Sequence, residues 1–392
     1  MSLRVLTRTP ILRTGPTSAV KRSIQILSRS SVLSQTSTPL SYNKKTFSTT
    51  SVKMVAPAGL MSNRYKIEEM PDLKGKIAVV TGGSRGIGEA TVSALVQRGC
   101  QVHILSATKA HADEAISNIS KVAPDAPKLI THHEVDLGTL RSVISVAKEL
   151  ATTLPRLDIL YCIAGIGVAP FGLTNDGLAN HFAVNHLASM VLVDNLLDLL
   201  KETSAKKQGA AADDIEKFST RIVAESSELH RASPNEVHFD NLEEVSQEID
   251  ETKLYGRSKM MALLFIRELA RRHLPPLTSS TPILALSVHP GAVATEQQKG
   301  ATEAYGLLGK ALEIGANLVF MSKEQGAESA LWAGTSPAVA ERKEEVQGRY
   351  FTEADGKVDT ESEQAKSDEL ASKLWDLSVK TLKDKIGYQV KM

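Results

Sequence analysis

From residue 73 onward the apolar positions alternate between two spacings. Short β-branched runs, KIAVVTGG (76–83), QVHIL (101–105), LITHHEV (129–135) and RLDILYCIAG (156–165), read as strands. Between them, apolar residues recur three and four apart: Ile87, Ala90, Ala94 and Leu95 closed by Gly99, then stretches over 109–121 and 139–154, which predict helices. A long helix over 176–201, a strand over 219–226, a helix over 251–272 and a strand over 283–291 continue the series. Parallel strands need crossover connections, so the alternation predicts an α/β fold: a single doubly wound parallel sheet, Rossmann-like, with helices on both faces. The sequence shows no internal repeat.

Composition narrows the class without changing the fold. Hydrophobic residues make up 42% and charged residues 23% of 392, which is globular rather than fibrous or wholly disordered. A formal net charge of +1 offers no case for nucleic acid as a partner. The two cysteines, Cys100 and Cys162, are too few for a disulfide framework or a Cys-based zinc site. Cys162 reads as a small buried hydrophobe. His103, His132 and His133 lack ligand spacing, so no metal is expected.

The charge is unevenly spread. Residues 1–67 hold 11 Lys and Arg and no Asp or Glu, leaving 35 basic and 45 acidic residues to the rest. A basic, Ser/Thr-rich, acid-free stretch is how a mitochondrial transit peptide reads, with a plain basic tail as the other reading. The expected layout is a disordered targeting leader over 1–53, cleaved near 44–51, a linker over 54–72, and one domain over 73–392. Met54 or Met61 could start a shorter cytoplasmic form. The uncharged apolar stretch 159–174 is too short to cross a bilayer and is broken by Gly165, Gly167, Pro170 and Gly172, so no integral membrane span is expected.

The first chemical signal is TGGSRGIG (81–88). After a strand and opening a helix, Gly82, Gly86 and Gly88 let the backbone turn tightly and approach a pyrophosphate, which then meets the helix N-terminus. Ser84, Arg85 and Ile87 share that turn. At the end of the second strand the residues are Leu105, Ser106, Ala107, Thr108 and Lys109, without the acid that holds the ribose 2′-hydroxyl of NAD. Arg85 or Lys109 supplies a cation for a 2′-phosphate, which favours NADP(H), with NAD(H) as the alternative. The second signal is YGRSK (255–259), whose spacing stacks Tyr255 and Lys259 on one helix face. An ammonium close to a phenol favours the phenolate and suits it to acid–base work. Ser226 and Ser227 close the strand 219–226 at the edge that should open on the cofactor.

TGGSRGIG, the serine pair, YGRSK and VHPGAVAT (288–295), in that order, resemble the short-chain dehydrogenase/reductase family. NDGLANHFAVNHLASMVLVDNLL (175–197), the long gap from Ser227 to Tyr255, GRYF (348–351) and LWDLS (374–378) are similar to its retinol-dehydrogenase-like branch, and the leader is loosely similar to mitochondrial oxidoreductases of filamentous fungi. The resemblance implies that Tyr255 is general acid or base, that Lys259 tunes it and holds the nicotinamide ribose, that Ser227 rather than Ser226 binds the substrate oxygen, and that Asn185 holds a water of the proton relay. It also implies adenine contacts at Asp136 and Leu137, with a helix cap as the plainer reading of Asp136. Backbone contacts are implied at Ile163, Ala164 and Gly165, and carboxamide contacts at Pro290, Gly291, Val293 and Thr295. Where the family usually has Asn-Asn-Ala-Gly, this chain has Cys162, Ile163, Ala164 and Gly165, so the backbone groups there need other partners.

The expected activity is reversible hydride transfer between NADP(H) and a carbonyl or alcohol of a small, apolar substrate. A lid over 297–320 is expected to cover that substrate, and a C-terminal helix is expected over 363–384. The stripe Met190, Val191, Val193, Leu196, Leu197 and Leu200 is read as helix packing, part of it a homodimer face. Two other readings stay open. One is a non-catalytic NADP(H)-binding scaffold or sensor; the other is a sugar-nucleotide epimerase or dehydratase, which shares a Tyr and Lys four apart but not this glycine spacing.

Overall fold

A computed structural model of the chain describes residues 64–206, 219–279, 282–291 and 321–392. Strand β1 (Ile77–Thr81) is buried along its whole length. Its alternate residues feed two different cores: Val79 packs with Leu105, Leu160 and Ile222 on one face, while Ala78 and Val80 pack with Val102, Ile104 and Tyr161 on the other. Such a strand must lie inside a sheet covered on both sides. Its neighbours are β2 (Gln101–Ser106), where His103 stands opposite Val79, and β4 (Ile159–Cys162), where Leu160 does. With β3 (Ile130–Glu134), β5 (Thr220–Glu225), β6 (Ile283–Val288) and β7 (Tyr350–Phe351), the order is β3-β2-β1-β4-β5-β6-β7, every pair parallel. The two-residue β7 is too short to carry a period, and the apolar pattern does not predict it.

Helices cover both faces as expected of a Rossmann-like sheet. On one side lie α1 (Gly86–Gln97), with Val92 and Leu95 in the core, and α6 (Lys323–Thr335), with Leu331 and Trp332. On the other lie α3 (Leu140–Thr153), α4 (Ala188–Lys206), α5 (Glu251–Arg272) and α7 (Asp368–Ile386), contributing Val143, Leu196, Leu264 and Trp375. Helix α2 (Lys109–Ser120) flanks β2 and β3. Met190, Val191, Val193, Leu196, Leu197 and Leu200 are all buried within the chain, the packing stripe that their spacing predicts, which corrects the expectation that part of it forms a homodimer face.

Three boundaries differ from the pattern. The long helix expected from 176 starts later, because Leu173 and Ala179 form an antiparallel bridge around Gly177, whose φ is +69°. Asn180–Phe182 then runs through a π-turn, Ala183–Leu187, into α4. The stretch Asn180–Lys206 is long and apolar enough to cross a membrane, but 83% of its apolar window is buried, which is how a core helix packs. The C-terminal helix expected over 363–384 begins at Asp368, where Ser367 Oγ accepts from Leu370 N at 3.1 Å, and ends at Gly387, φ +68°. Ahead of residue 73, Tyr65 and Met70 are already buried, and Arg64 pairs with Glu328 of α6 at 2.6 Å.

Candidate active site

The site is assembled where β1 and β4, adjacent in space, send their connections to opposite sides of the sheet. The loop after β1 turns at Gly82, φ +69°. A Cβ on Gly88 would stand 2.2 Å from the Gly82 carbonyl oxygen, so only glycine lets the first turn of α1 sit this close to the strand end. Gly82, Ser84, Arg85, Gly86, Ile87 and Gly88 line one wall of a cleft of about 590 Å³. Ile163, Ala164 and Gly165, after β4, line it too. The unpaired N–H groups opening α1 and a floor without side-chain bulk fit a dinucleotide pyrophosphate.

After β4, where this chain lacks the asparagine pair, the backbone is held by Thr81. Thr81 Oγ1 accepts from Ile163 N and from Ala164 N, both at 3.0 Å, and donates to the Tyr161 carbonyl at 3.3 Å. Cys162 is buried and its thiol is pushed up to about 12 by desolvation, so it stays neutral in the core.

Arg85 lies at the cleft with its guanidinium 3.9 Å from Glu114 of α2, an acid the strand-end reading did not reach because it stands a full turn into the helix. Lys109, the other expected cation, is tied to Asp113 at 2.6 Å and lies outside the cleft lining. Asp136 and Leu137 follow β3 and also lie outside that lining. Asp136 Oδ1 accepts from Gly138 N at 2.8 Å and Oδ2 from Thr139 Oγ1 at 2.9 Å, while the first free N–H of α3, at Leu140, goes instead to Asp176.

Helix α5 brings the second group of residues. Asp250 caps it, accepting from Thr252 N and Lys253 N. At Gly256 a Cβ would meet the Leu229 carbonyl oxygen at 2.6 Å, so the helix presses closely on the turn that follows Ser227. Lys259 Nζ donates to the Glu225 carbonyl at 3.0 Å and lies 5.7 Å from the centroid of the Tyr255 ring. A Cβ built on Gly165 would lie 3.6 Å from Lys259 Nζ and 3.1 Å from Asn185 Oδ1, which places both side chains against the cleft floor. Asn185 sits in the π-turn, an interruption often found at functional sites. Its Oδ1 accepts from Ile166 N at 2.7 Å, and its Nδ2 donates to the Ile166 carbonyl and to Ser258 Oγ.

The two serines differ. Ser226 is fully buried and its hydroxyl donates to the Lys259 carbonyl at 2.8 Å. Ser227 Oγ accepts from Leu229 N at 3.2 Å, capping the short turn Glu228–Ala232. Next to it, Tyr350 Oη donates to Glu228 Oε1, and His289 Nδ1 accepts from Glu228 N. Burial holds His289 down to about 4, so that imidazole is neutral. Pro290 and Gly291 are buried just beyond β6; Val293, Thr295 and the expected lid lie outside the described residues. Glu225, which the strand pattern passes over, lines the cleft as well.

Comparison with known proteins gives the family. A family model described as short chain dehydrogenase matches residues 76–211. The Neurospora crassa protein named as the mitochondrial oxidoreductase bli-4 is 30% identical over 95% of this chain and 92% of its own length. Human retinol dehydrogenase 14 is 32% identical over 78% of this chain and 86% of its own. Among solved structures, a Mycobacterium paratuberculosis protein superposes with a TM-score of 0.59 at 21% identity, covering 84% of this chain and 100% of that one. The chain belongs to the short-chain dehydrogenase/reductase family, in its retinol-dehydrogenase-like branch. It is accordingly an oxidoreductase acting between CH–OH and C=O, in a family that binds NAD(P).

Proposed function

We propose that the chain moves a hydride between NADP(H) and a carbonyl or alcohol of a small, apolar substrate. The observation that carries this reading is the position of Lys259, whose Nζ links the Tyr255 ring at 5.7 Å to the glycine-floored cleft at Gly165. A bound nicotinamide would supply the hydride in reduction and accept it in oxidation. Tyr255 gives its phenolic proton to the substrate oxygen in reduction and takes it back in oxidation. Lys259, one helical turn away, sets its ammonium beside the Tyr255 ring and would hold the nicotinamide ribose. Ser227 is left to bind the substrate oxygen, since the Ser226 hydroxyl is spent on the Lys259 carbonyl. Asn185 braces the Gly165–Ile166 loop against α5 through its bonds to Ile166 and Ser258, which keeps Lys259 in register with the cleft.

For the cofactor, Gly82, Ser84, Gly86, Ile87 and Gly88 would hold the pyrophosphate, with Ile163, Ala164 and Gly165 beneath the nicotinamide half. Pro290, Gly291, Val293 and Thr295 would meet the carboxamide, and Asp136 and Leu137 the adenine. Arg85 at the cleft favours a 2′-phosphate, and a fold neighbour, Pseudomonas aeruginosa RhlG, was solved as an NADP active-site complex (TM-score 0.50, 22% identity). An apolar substrate is supported by the Ala, Leu, Ile and Tyr content of 297–320 and by the name of retinol dehydrogenase 14. Mitochondrial import is supported by the acid-free leader and by bli-4; the distribution of the full chain against one starting at Met54 tests it, and identical distributions would refute it.

Consumption of NADPH and NADH by the full chain against apolar aldehydes and ketones tests the activity. Tyr255→Phe should lower kcat by about 10² to 10⁴ with NADPH affinity retained. A loss of only a few-fold in an active enzyme overturns the assignment. Arg85→Asp should weaken NADPH by about tenfold and NADH much less; equal effects on the two would remove the case for NADP(H).

A further inference from the structure

Glu225 is a largely shielded acid for which the proposed chemistry has no use. It closes β5, and its side chain is 11% exposed. Oε1 stands 3.8 Å from Lys259 Nζ, and Oε2 is buried with no hydrogen-bond partner among the described residues. The residue lines the glycine cleft and also a small cavity bounded by Cys162, Asn185 and His186. A carboxyl so placed is costly to ionise and costly to leave unmatched.

The groups around it leave one counter-charge. Cys162 from β4 and His186 from the π-turn border the same cavity, and both are neutral near pH 7, since burial pushes the thiol up to about 12 and the imidazole down to about 3. His289 beyond β6 is likewise held neutral. Arg85, Glu89, Glu114 and Lys323 line the same cleft and are engaged with one another, Arg85 with Glu114 and Lys323 with Glu89. From α5 comes Lys259, the ion-pair partner of Glu225 among the described residues.

We infer, resting on the reading of Tyr255 and Lys259 given above, that Glu225 is a positioning residue for that pair: its carboxyl, 3.8 Å from Lys259 Nζ, sets how strongly the ammonium acts on the Tyr255 phenol. With Glu225 protonated, the ammonium acts on the phenol alone and favours the phenolate. With Glu225 ionised, the anion shares that ammonium and weakens its hold on the phenol oxygen. Burial raises the carboxyl to about 7, so its change of state falls in the physiological range. No bond forms or breaks at Glu225 apart from its own O–H, whose proton exchanges with solvent through the cleft.

The test is a near-ultraviolet titration of phenolate in the full chain without cofactor, with the signal of Tyr255→Phe subtracted. Glu225→Gln, isosteric and uncharged, should move the rise of Tyr255 phenolate to lower pH by about one unit, and the pH profile of alcohol oxidation in the same direction. Glu225→Asp should return both toward wild type. Superimposable titrations of wild type and Glu225→Gln overturn the proposal whatever the turnover. A shifted titration in a protein that reduces no carbonyl leaves the coupling standing and sinks the hydride-transfer reading instead. If Glu225→Gln does not fold, Glu225→Ala takes its place in the same titration: a phenolate rise moved to lower pH supports the proposal, and one superimposable on wild type overturns it.

Discussion

Strand β5 carries an ionisable side chain shielded from water at each end, and the two are treated differently. At Arg221 the guanidinium is fully buried and donates to Ser219 Oγ, to the Ala333 carbonyl and to the Ser336 carbonyl at 2.9, 2.8 and 2.9 Å. Four residues on, Glu225 offers one oxygen to Lys259 at 3.8 Å and leaves the other without a hydrogen bond. The first charge fastens the sheet to the end of α6, outside the cleft lining. The second sits at the cleft, where a carboxyl that is only half matched stays able to titrate. A shielded ionisable group whose hydrogen bonds are met reads as structure; one left partly unmet beside the pair proposed to react reads as function.

The largest effect that could break this contrast is at the structural end. Arg221→Met strands two buried carbonyls and should cost about 3 to 4 kcal/mol in urea unfolding, with NADPH affinity of the folded protein unchanged. A cost under about 1 kcal/mol would mean that the two ends are not different in kind. Next is the pH dependence of stability at the other end. The folded value for Glu225, about 7, lies above its ordinary unfolded value, so its contribution is complete at low pH and is lost as pH rises to that value. Glu225→Gln should therefore gain roughly 3 kcal/mol on wild type between about pH 4 and pH 8, read from urea midpoints at each pH. A constant difference would place the carboxyl at an ordinary value and remove the contrast. The smallest effect sharpens it: Arg221→Lys keeps a charge but loses the planar fork, and should cost about 1 to 2 kcal/mol.

The layout of the sheet was legible wherever period and turn chemistry agree. The glycine turn 81–88, strands β1 to β6 and the Tyr255–Lys259 face of α5 all follow from spacings within one element. Less could be read where an element is set by distant partners. The late start of the helix leading into α4 depends on the Leu173–Ala179 bridge, and β7 exists through its register with β6. Glu225 in the run RIVAESS looks like any acid at a strand end, and nothing local marks it as buried. Thr81 likewise reads as a strand residue, although its hydroxyl holds the backbone N–H groups of Ile163 and Ala164.

Local order was thus decided by the chain alone: which segments are strand or helix, where the backbone needs glycine, and which phenol and amine share a helix face. These depend on neighbours a few residues apart, whose geometry is nearly independent of the rest of the molecule. Which serine hydroxyl is tied to the Lys259 carbonyl, which cation reaches the cleft and which acid loses its water were decided only by packing. Desolvation and long-range hydrogen bonding come from residues tens to hundreds of positions away, and no short stretch of sequence carries them.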